Sequence, residues 1–154
     1  MRAIEPWVLG PLRSFVAESS ARIALLMTAS GQVVAQHGFT AALDLMAAAA
    51  LGAGIVASSS ELAIQMQWEP FRVMAHQGDR QSHLLVWFDT PRGRWVALIV
   101  FGSETKLGVV QLFLDQLVDD LVAAAPPEPV QKREVLAADF ERELNSSLRA
   151  LFGR

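Results

Sequence analysis

The stretch "AAAALGAGIVASSS", residues 47–60, decides how this chain is read. Eleven of its fourteen residues are Ala, Gly or Ser, and none is charged. Such a run can be a membrane span, a nucleotide loop, or a helix kept bare so that another surface can lie against it. A span needs about 20 strongly apolar residues, whereas Asp44 and Glu61 close a window of sixteen uncharged positions that includes three serines. "GAGIVA" (52–57) matches the Gly-x-Gly-x-x-Ala spacing of dinucleotide sites, but that loop must follow a buried strand and open a helix. The residues before it, Leu45 to Leu51, contain no β-branched side chain and already repeat with helical spacing. The helix is the reading that survives.

The expected helix spans Thr40 to Gln67, with Thr40 as a candidate N-cap. On a helical wheel Leu51, Ile55, Leu62 and Met66 share one side, with Leu45 and Val56 beside them. Ala47, Ala50, Gly54, Ser58, Glu61 and Gln65 take the other side, which is nearly flat. A glycine inside a helix costs about 1 kcal/mol relative to alanine, so Gly52 and Gly54 gain nothing locally. Small residues do permit close approach of another backbone, and Ala48/Gly52, Ala49/Ala53 and Ala50/Gly54 are each spaced one turn apart. The expected visitor is a protein surface, the same helix of a second copy included.

Outward from this helix the period changes. "PLRSFVAESS" (11–20) reads as a short helix with Pro11 in its first turn. "RIALLMT" (22–28) and "QVVAQHG" (32–38) are strand-length runs joined by Ala29-Ser30-Gly31, where glycine can supply positive φ. "FRVMAHQ" (71–77), "SHLLVWFD" (82–89) and "RWVALIVFG" (94–102) are three more strands, the last two apolar on both faces and so expected at the sheet centre. Trp87 and Trp95 flank one hairpin and are expected to pack across it. A helix from Lys106 to about Ala123 carries Leu107, Val110, Leu114, Leu117 and Leu121 at helical spacing. Beyond a proline-rich linker (124–135), residues 136–154 form an amphipathic helix striped with Phe140, Leu144, Leu148 and Leu151. The expected fold is α+β: a five-stranded antiparallel sheet sandwiched by helices, in the order α-β-β-α-β-β-β-α plus the C-terminal helix. The main domain covers residues 11–123, preceded by an N-terminal segment, 1–10.

Composition narrows the function. With 154 residues and 52% apolar, the chain can fill one core. A net charge of −3 offers no bulk basic field, so no nucleic-acid partner is expected. The absence of cysteine removes disulfides and thiolate chemistry, fitting a cytoplasmic setting. Glu5 and Pro6 interrupt the apolar run a signal peptide needs. No Gly-x-x-x-x-Gly-Lys-[Ser/Thr] loop is present; "GSETKLG" (102–108) has the wrong order. His37, His76 and His83 lack metal-ligand spacing, Ser58-Ser59-Ser60 form no nucleophile elbow, and Asp119-Asp120 diverge on a helix. Arg72, Arg80, Arg92 and Arg94 could act on a partner's phosphoryl transfer, but hairpin-tip arginines are usually solvated. No catalytic residue, cofactor or metal is therefore expected.

Three segments together resemble the Roadblock dynein light-chain family over residues 11–123: "ARIALLMTASGQVVAQHG", "TAALDLMAAAALGAGIVASSSELA" and "WVALIVFGSETKLGVVQL". "HQGDR" (76–80) and the amphipathic tail are similar to its bacterial gliding-motility, MglB-type, branch. Thr28-Ala29-Ser30 stand where the family carries charged residues. The resemblance implies a homodimer seamed by the long helix and following strand, here Ala48, Gly52, Trp68, Phe71 and Val73. It also implies that the paired helices present a platform to a small Ras-like GTPase and reposition the GTPase's own residues. That platform is Ala47, Ala50, Gly54, Ser58, Glu61 and Gln65, and the tail helix, through Phe140, Leu144, Leu148 and Leu151, reaches a second surface. A non-catalytic dimeric adaptor and a small-molecule sensor are the competing readings.

Overall fold

The computed structural model describes residues 2–3, 5–38, 44–126 and 130–152. Its strands are β1 (Arg2–Ala3), β2 (Ile23–Thr28), β3 (Val33–Gly38), β4 (Val73–Gln77), β5 (Ser82–Thr90) and β6 (Gly93–Phe101). Its helices are α1 (Leu9–Ser19), α2 (Leu45–Met66), α3 (Leu107–Ala124) and α4 (Val130–Phe152), with a 3-10 turn at Pro6–Val8 leading into α1. The expected α+β order is present, and every strand pair is antiparallel. The sheet runs β1-β3-β2-β6-β5-β4, the short β1 extending the β3 edge beyond the five strands expected.

Side-chain alternation explains why both faces are covered. Along β2, Ala24 and Leu26 point to α1 and α3 while Leu25 and Met27 point to α2; β6 divides Ala97 and Ile99 from Val96 in the same way. Trp95 faces the α1–α3 side and stacks on Trp7 at 5.5 Å. Trp87 faces the α2 side, where its Nε1 donates to the Phe71 carbonyl at 2.7 Å. The two tryptophans thus lie on opposite faces and do not pack together, because Trp95 pairs with Phe88 and not with Trp87. The β2–β3 turn needs its glycine twice over. Gly31 has φ +90, and a Cβ there would come 3.1 Å from the Ala50 Cα, so the turn leans directly on α2.

The two layers differ in depth. The α1–α3 side holds a core with Leu12, Phe15, Phe88, Leu114 and Leu121 fully or nearly buried. The α2 side is thin: α2 contributes only Ala49, Gly52, Ala53, Val56 and Ala63 as buried positions. A Cβ on Gly52 would sit 3.3 Å from the Met27 sulfur and 3.4 Å from Leu85 Cδ2. Small residues therefore bring α2 close to its own sheet. The large residues take no part in that contact: Leu51, Ile55, Leu62 and Met66 are 69%, 38%, 48% and 47% exposed, so that stripe does not lie under the sheet.

Helix ends follow local chemistry. Asp44 caps α2, its carboxylate accepting the Ala47 N–H at 3.1 Å, so the helix starts at Leu45. Thr40, the cap expected from sequence, lies outside the described residues. Gln67 closes α2 in the left-handed conformation, φ 57, its N–H reaching the Ala63 and Ile64 carbonyls. α4 begins at Val130, upstream of the expected 136, and no proline lies within its span. By length and mean hydropathy, 1.5 over its best window, α2 could cross a bilayer. In this fold it lies along the sheet, with Ser58, Glu61 and Gln65 on its outer side.

Candidate functional site

The outer face of α2 carries every residue assigned to the platform. Ala47, Ala50, Gly54, Ser58, Glu61 and Gln65 are all exposed and lie opposite the sheet-facing stripe. Beyond its own turn of helix, no heavy atom lies within 4 Å of where a Gly54 Cβ would be. Near the C-terminal end the Gln65 amide donates to Glu61 Oε1 at 3.0 Å, one turn apart, so the only charge on the platform is tied to its neighbour. At the opposite end an apolar groove of about 400 Å³, lined by Gly31, Val33, Leu45, Met46 and Ala50, opens beside the face.

One flank of this face continues to the sheet edge. From Leu51, Leu62 and Met66 the apolar surface passes to Trp68, 58% exposed, and then to Val73, 41% exposed. Trp68 meets Phe71 edge-on at 6.0 Å. The Trp87 indole and backbone hold Phe71 and Arg72 by their carbonyls, so this connection is anchored to β5. β4 is the outermost strand and keeps one row of backbone groups unpaired, an edge that invites another strand. Trp68, Phe71 and Val73 are thus gathered at one edge, but the two other residues expected at a seam are placed differently. Gly52 is buried on Met27 and Leu85 of its own sheet, and Ala48 is half-buried in the same core, because both face inward on the wheel. Leu51, Leu62 and Met66 were not legible as surface, because hydrophobic periodicity marks such a stripe without saying what covers it.

Elsewhere several charged side chains pair within the chain. Arg94 donates to both oxygens of Asp89, at 2.9 and 3.3 Å, and its guanidinium lies 3.8 Å from the Trp87 ring centre. The hydrogen bond from Arg94 holds the Asp89 carboxyl below its ordinary range. Arg92 folds back to within 3.9 Å of Glu5. Arg22 grips Glu104 at 2.6 and 3.1 Å, and this hydrogen bonding lowers the Glu104 pKa. "GAGIVA" lies in mid-helix, so its amides are engaged in the helix and open no phosphate loop. Among the described residues no group of three or more His, Asp or Glu could hold a metal ion.

Topology does bring His76 and His83 together, opposed across β4 and β5 with ring centres 4.6 Å apart. Burial, then the neighbouring His76, pushes the His83 pKa below its ordinary 6.5. A lowered imidazole pKa means that the unfolded chain binds more protons, so this contribution is complete above about pH 6.5 and is lost as pH falls through the folded-state value. Urea midpoints are expected to fall between about pH 7.5 and about pH 5.5, with a shallower fall in His83→Gln. A midpoint that rises over that window contradicts the assignment.

The C-terminal helix presents its stripe to solvent: Phe140, Leu144, Leu148 and Leu151 are 67%, 48%, 43% and 77% exposed. α4 makes no extended contact with the other elements among the described residues.

A five-stranded antiparallel sheet with α1 and α3 on one face and one long helix on the other defines a Roadblock-type domain. Among solved structures a Roadblock/LC7 domain from Streptomyces avermitilis shares this fold, with 18% identity, a TM-score of 0.62 and 71% of this chain and 90% of that one covered. The chain is similar to Myxococcus xanthus MglB, at 25% identity and a TM-score of 0.69, covering 75% of this chain and 92% of that one. It is similar to the gliding protein MglB of Thermus thermophilus at 26% identity and a TM-score of 0.69, covering 81% and 93%. These likenesses show the Roadblock fold, with MglB proteins among the structures similar to this chain. Comparison with family models and with curated proteins gives no match.

Proposed function

We propose that this protein is a homodimeric regulator of a small Ras-like GTPase, in the manner of a gliding-motility protein. The single observation that carries the reading is the outer face of α2: a flat strip of small residues, open to solvent and bordered by large apolar side chains that the monomer leaves uncovered. In the proposed dimer the β4 edges and the Leu51–Met66 flank meet between two copies, and the paired outer faces form one platform. Burying a large aliphatic or aromatic side chain contributes roughly 1.5–3 kcal/mol, so several exposed on one edge offer enough to offset the ordering cost of association. Ala48 and Gly52 shape this seam from behind, by setting how close α2 lies to its sheet.

The platform accelerates GTP hydrolysis by repositioning residues of the GTPase. Engagement of Arg94 by Asp89 and Trp87, and of Arg92 by Glu5, supports this over insertion of an arginine. The α4 stripe reaches a second surface of the same GTPase, as an amphipathic helix does in a groove.

The decisive measurement is single-turnover GTP hydrolysis by a Ras-like GTPase isolated from the same cell on this protein. Acceleration is expected, and Arg92→Ala is expected to retain it. If Arg92→Ala alone abolishes the effect in an intact dimer, platform catalysis is the wrong mechanism. Binding with no change in hydrolysis rate would leave the adaptor reading standing instead.

Self-association is tested separately. Val73→Arg puts a charge on the edge strand without entering the core. In sedimentation velocity it is expected to run as a monomer at concentrations where the parent chain is a dimer, with an unchanged circular dichroism spectrum. A dimer that survives Val73→Arg and Trp68→Ala together would remove β4 from the seam.

A further inference from the structure

His76 and His83 take no part in the platform, and His76 stands one residue from the turn end of β4, the strand whose outer edge forms the proposed seam. They are directly opposed in the β4–β5 hairpin. Both lie on the α2 side of the sheet, since Met74 and Leu85, two residues along each strand, pack into that core. His76 is exposed and His83 half-buried. Their ring centres are 4.6 Å apart and their planes differ by 39°.

We propose that this pair is a two-nitrogen site for a divalent transition ion of the copper(II) or nickel(II) class, with water in the remaining positions. Imidazole suits these ions, and each prefers ligands at right angles in tetragonal or octahedral geometry. A metal–nitrogen bond of about 2.0–2.1 Å, with about 1.1 Å more to the ring centre, puts each centroid about 3.2 Å from the ion. Two rings at a right angle are then about 4.5 Å apart, whereas the tetrahedral angle of zinc would need about 5.2 Å. The observed 4.6 Å between ring centres lies nearer the right-angle value, so the two rings need only turn without separating. A paired hairpin already fixes both backbones, so little ordering cost remains beyond turning the two rings. Binding here is independent of any GTPase.

The test is titration of the full chain with copper(II) and with nickel(II) at about pH 7.4, where unperturbed imidazole is mostly neutral. A single equivalent is expected to bind, with an electron paramagnetic resonance signal of two coordinated ring nitrogens for copper. His76→Ala and His83→Ala should each weaken affinity by about tenfold or more and reduce the signal to one nitrogen. His37→Ala should leave both unchanged, and circular dichroism should show each variant folded. Equal affinity in the parent chain and the His76→Ala/His83→Ala double variant overturns the proposal. So does equal loss on His37→Ala.

Discussion

Gly54→Arg is expected to abolish the acceleration of GTP hydrolysis while leaving the protein folded and dimeric. Position 54 lies at the middle of the outer face of α2, and a Cβ added there meets nothing within 4 Å beyond its own turn of helix. The fold therefore has no reason to resist it; replacing a mid-helix glycine even removes a penalty of about 1 kcal/mol. A docked GTPase has every reason. An arginine in the centre of a close helix–protein contact either holds the surfaces apart or buries a charge with no partner. The second alternative costs about 3–5 kcal/mol, equivalent at about 1.4 kcal/mol per decade to a hundredfold or greater loss of affinity. Gly54→Ala is the control, since one methyl keeps the face flat and should leave stimulation nearly intact. The measurements are hydrolysis rate against regulator concentration, together with melting temperature. Undiminished stimulation by Gly54→Arg would remove the outer face of α2 from the mechanism.

The largest expected effect on stability is at Gly38, the last residue of β3. Its φ is +112, a conformation L side chains rarely adopt, and a Cβ there would overlap the Arg22 carbonyl immediately before the neighbouring strand β2. The obstacle is backbone, held in the sheet by the Ile23–Gly38 pairing, and cannot swing aside as a side chain would. Positive φ costs about 1–2 kcal/mol and forced overlap about 1–3 kcal/mol, so Gly38→Ala should lose about 3 kcal/mol. For a domain of this size that lowers the melting temperature by about 6–12 °C. Gly10→Ala, where the added methyl meets nothing within 4 Å, should move it by no more than about 2 °C. A Gly38→Ala protein that melts with the parent would show that the β3 end can rearrange without loss.

The contrast between these glycines shows how far the residues speak for themselves. Gly31 was legible as a hairpin turn from its place between two apolar runs, and it has the positive φ that turn requires. Gly52 and Gly54 look equivalent in sequence, yet one is pressed on Met27 and Leu85 while the other faces open space. Two residues apart on a helix means nearly opposite sides, but which side meets the sheet is not written in either residue. The apolar stripe Leu51–Met66 carries no orientation of its own, because large apolar residues suit a core and an intermolecular contact equally. The histidines were missed for a different reason. Helical and short-motif spacings place His76 and His83 nowhere near each other, although they stand symmetrically about the Gln77–Ser82 turn, which was the available signal.

By itself the sequence determined the elements and their order, since alternation, helical period, glycine and proline act within a few residues of where they stand. It also determined that the outer strip of α2 would be flat, because those side chains are small wherever they point. The tertiary structure alone decided which half of α2 faces the sheet, which flank remains uncovered beside the β4 edge, and which histidines meet. Those outcomes depend on how closely a helix backbone can approach two central strands and on strand register. Both are set by packing between segments far apart in the chain.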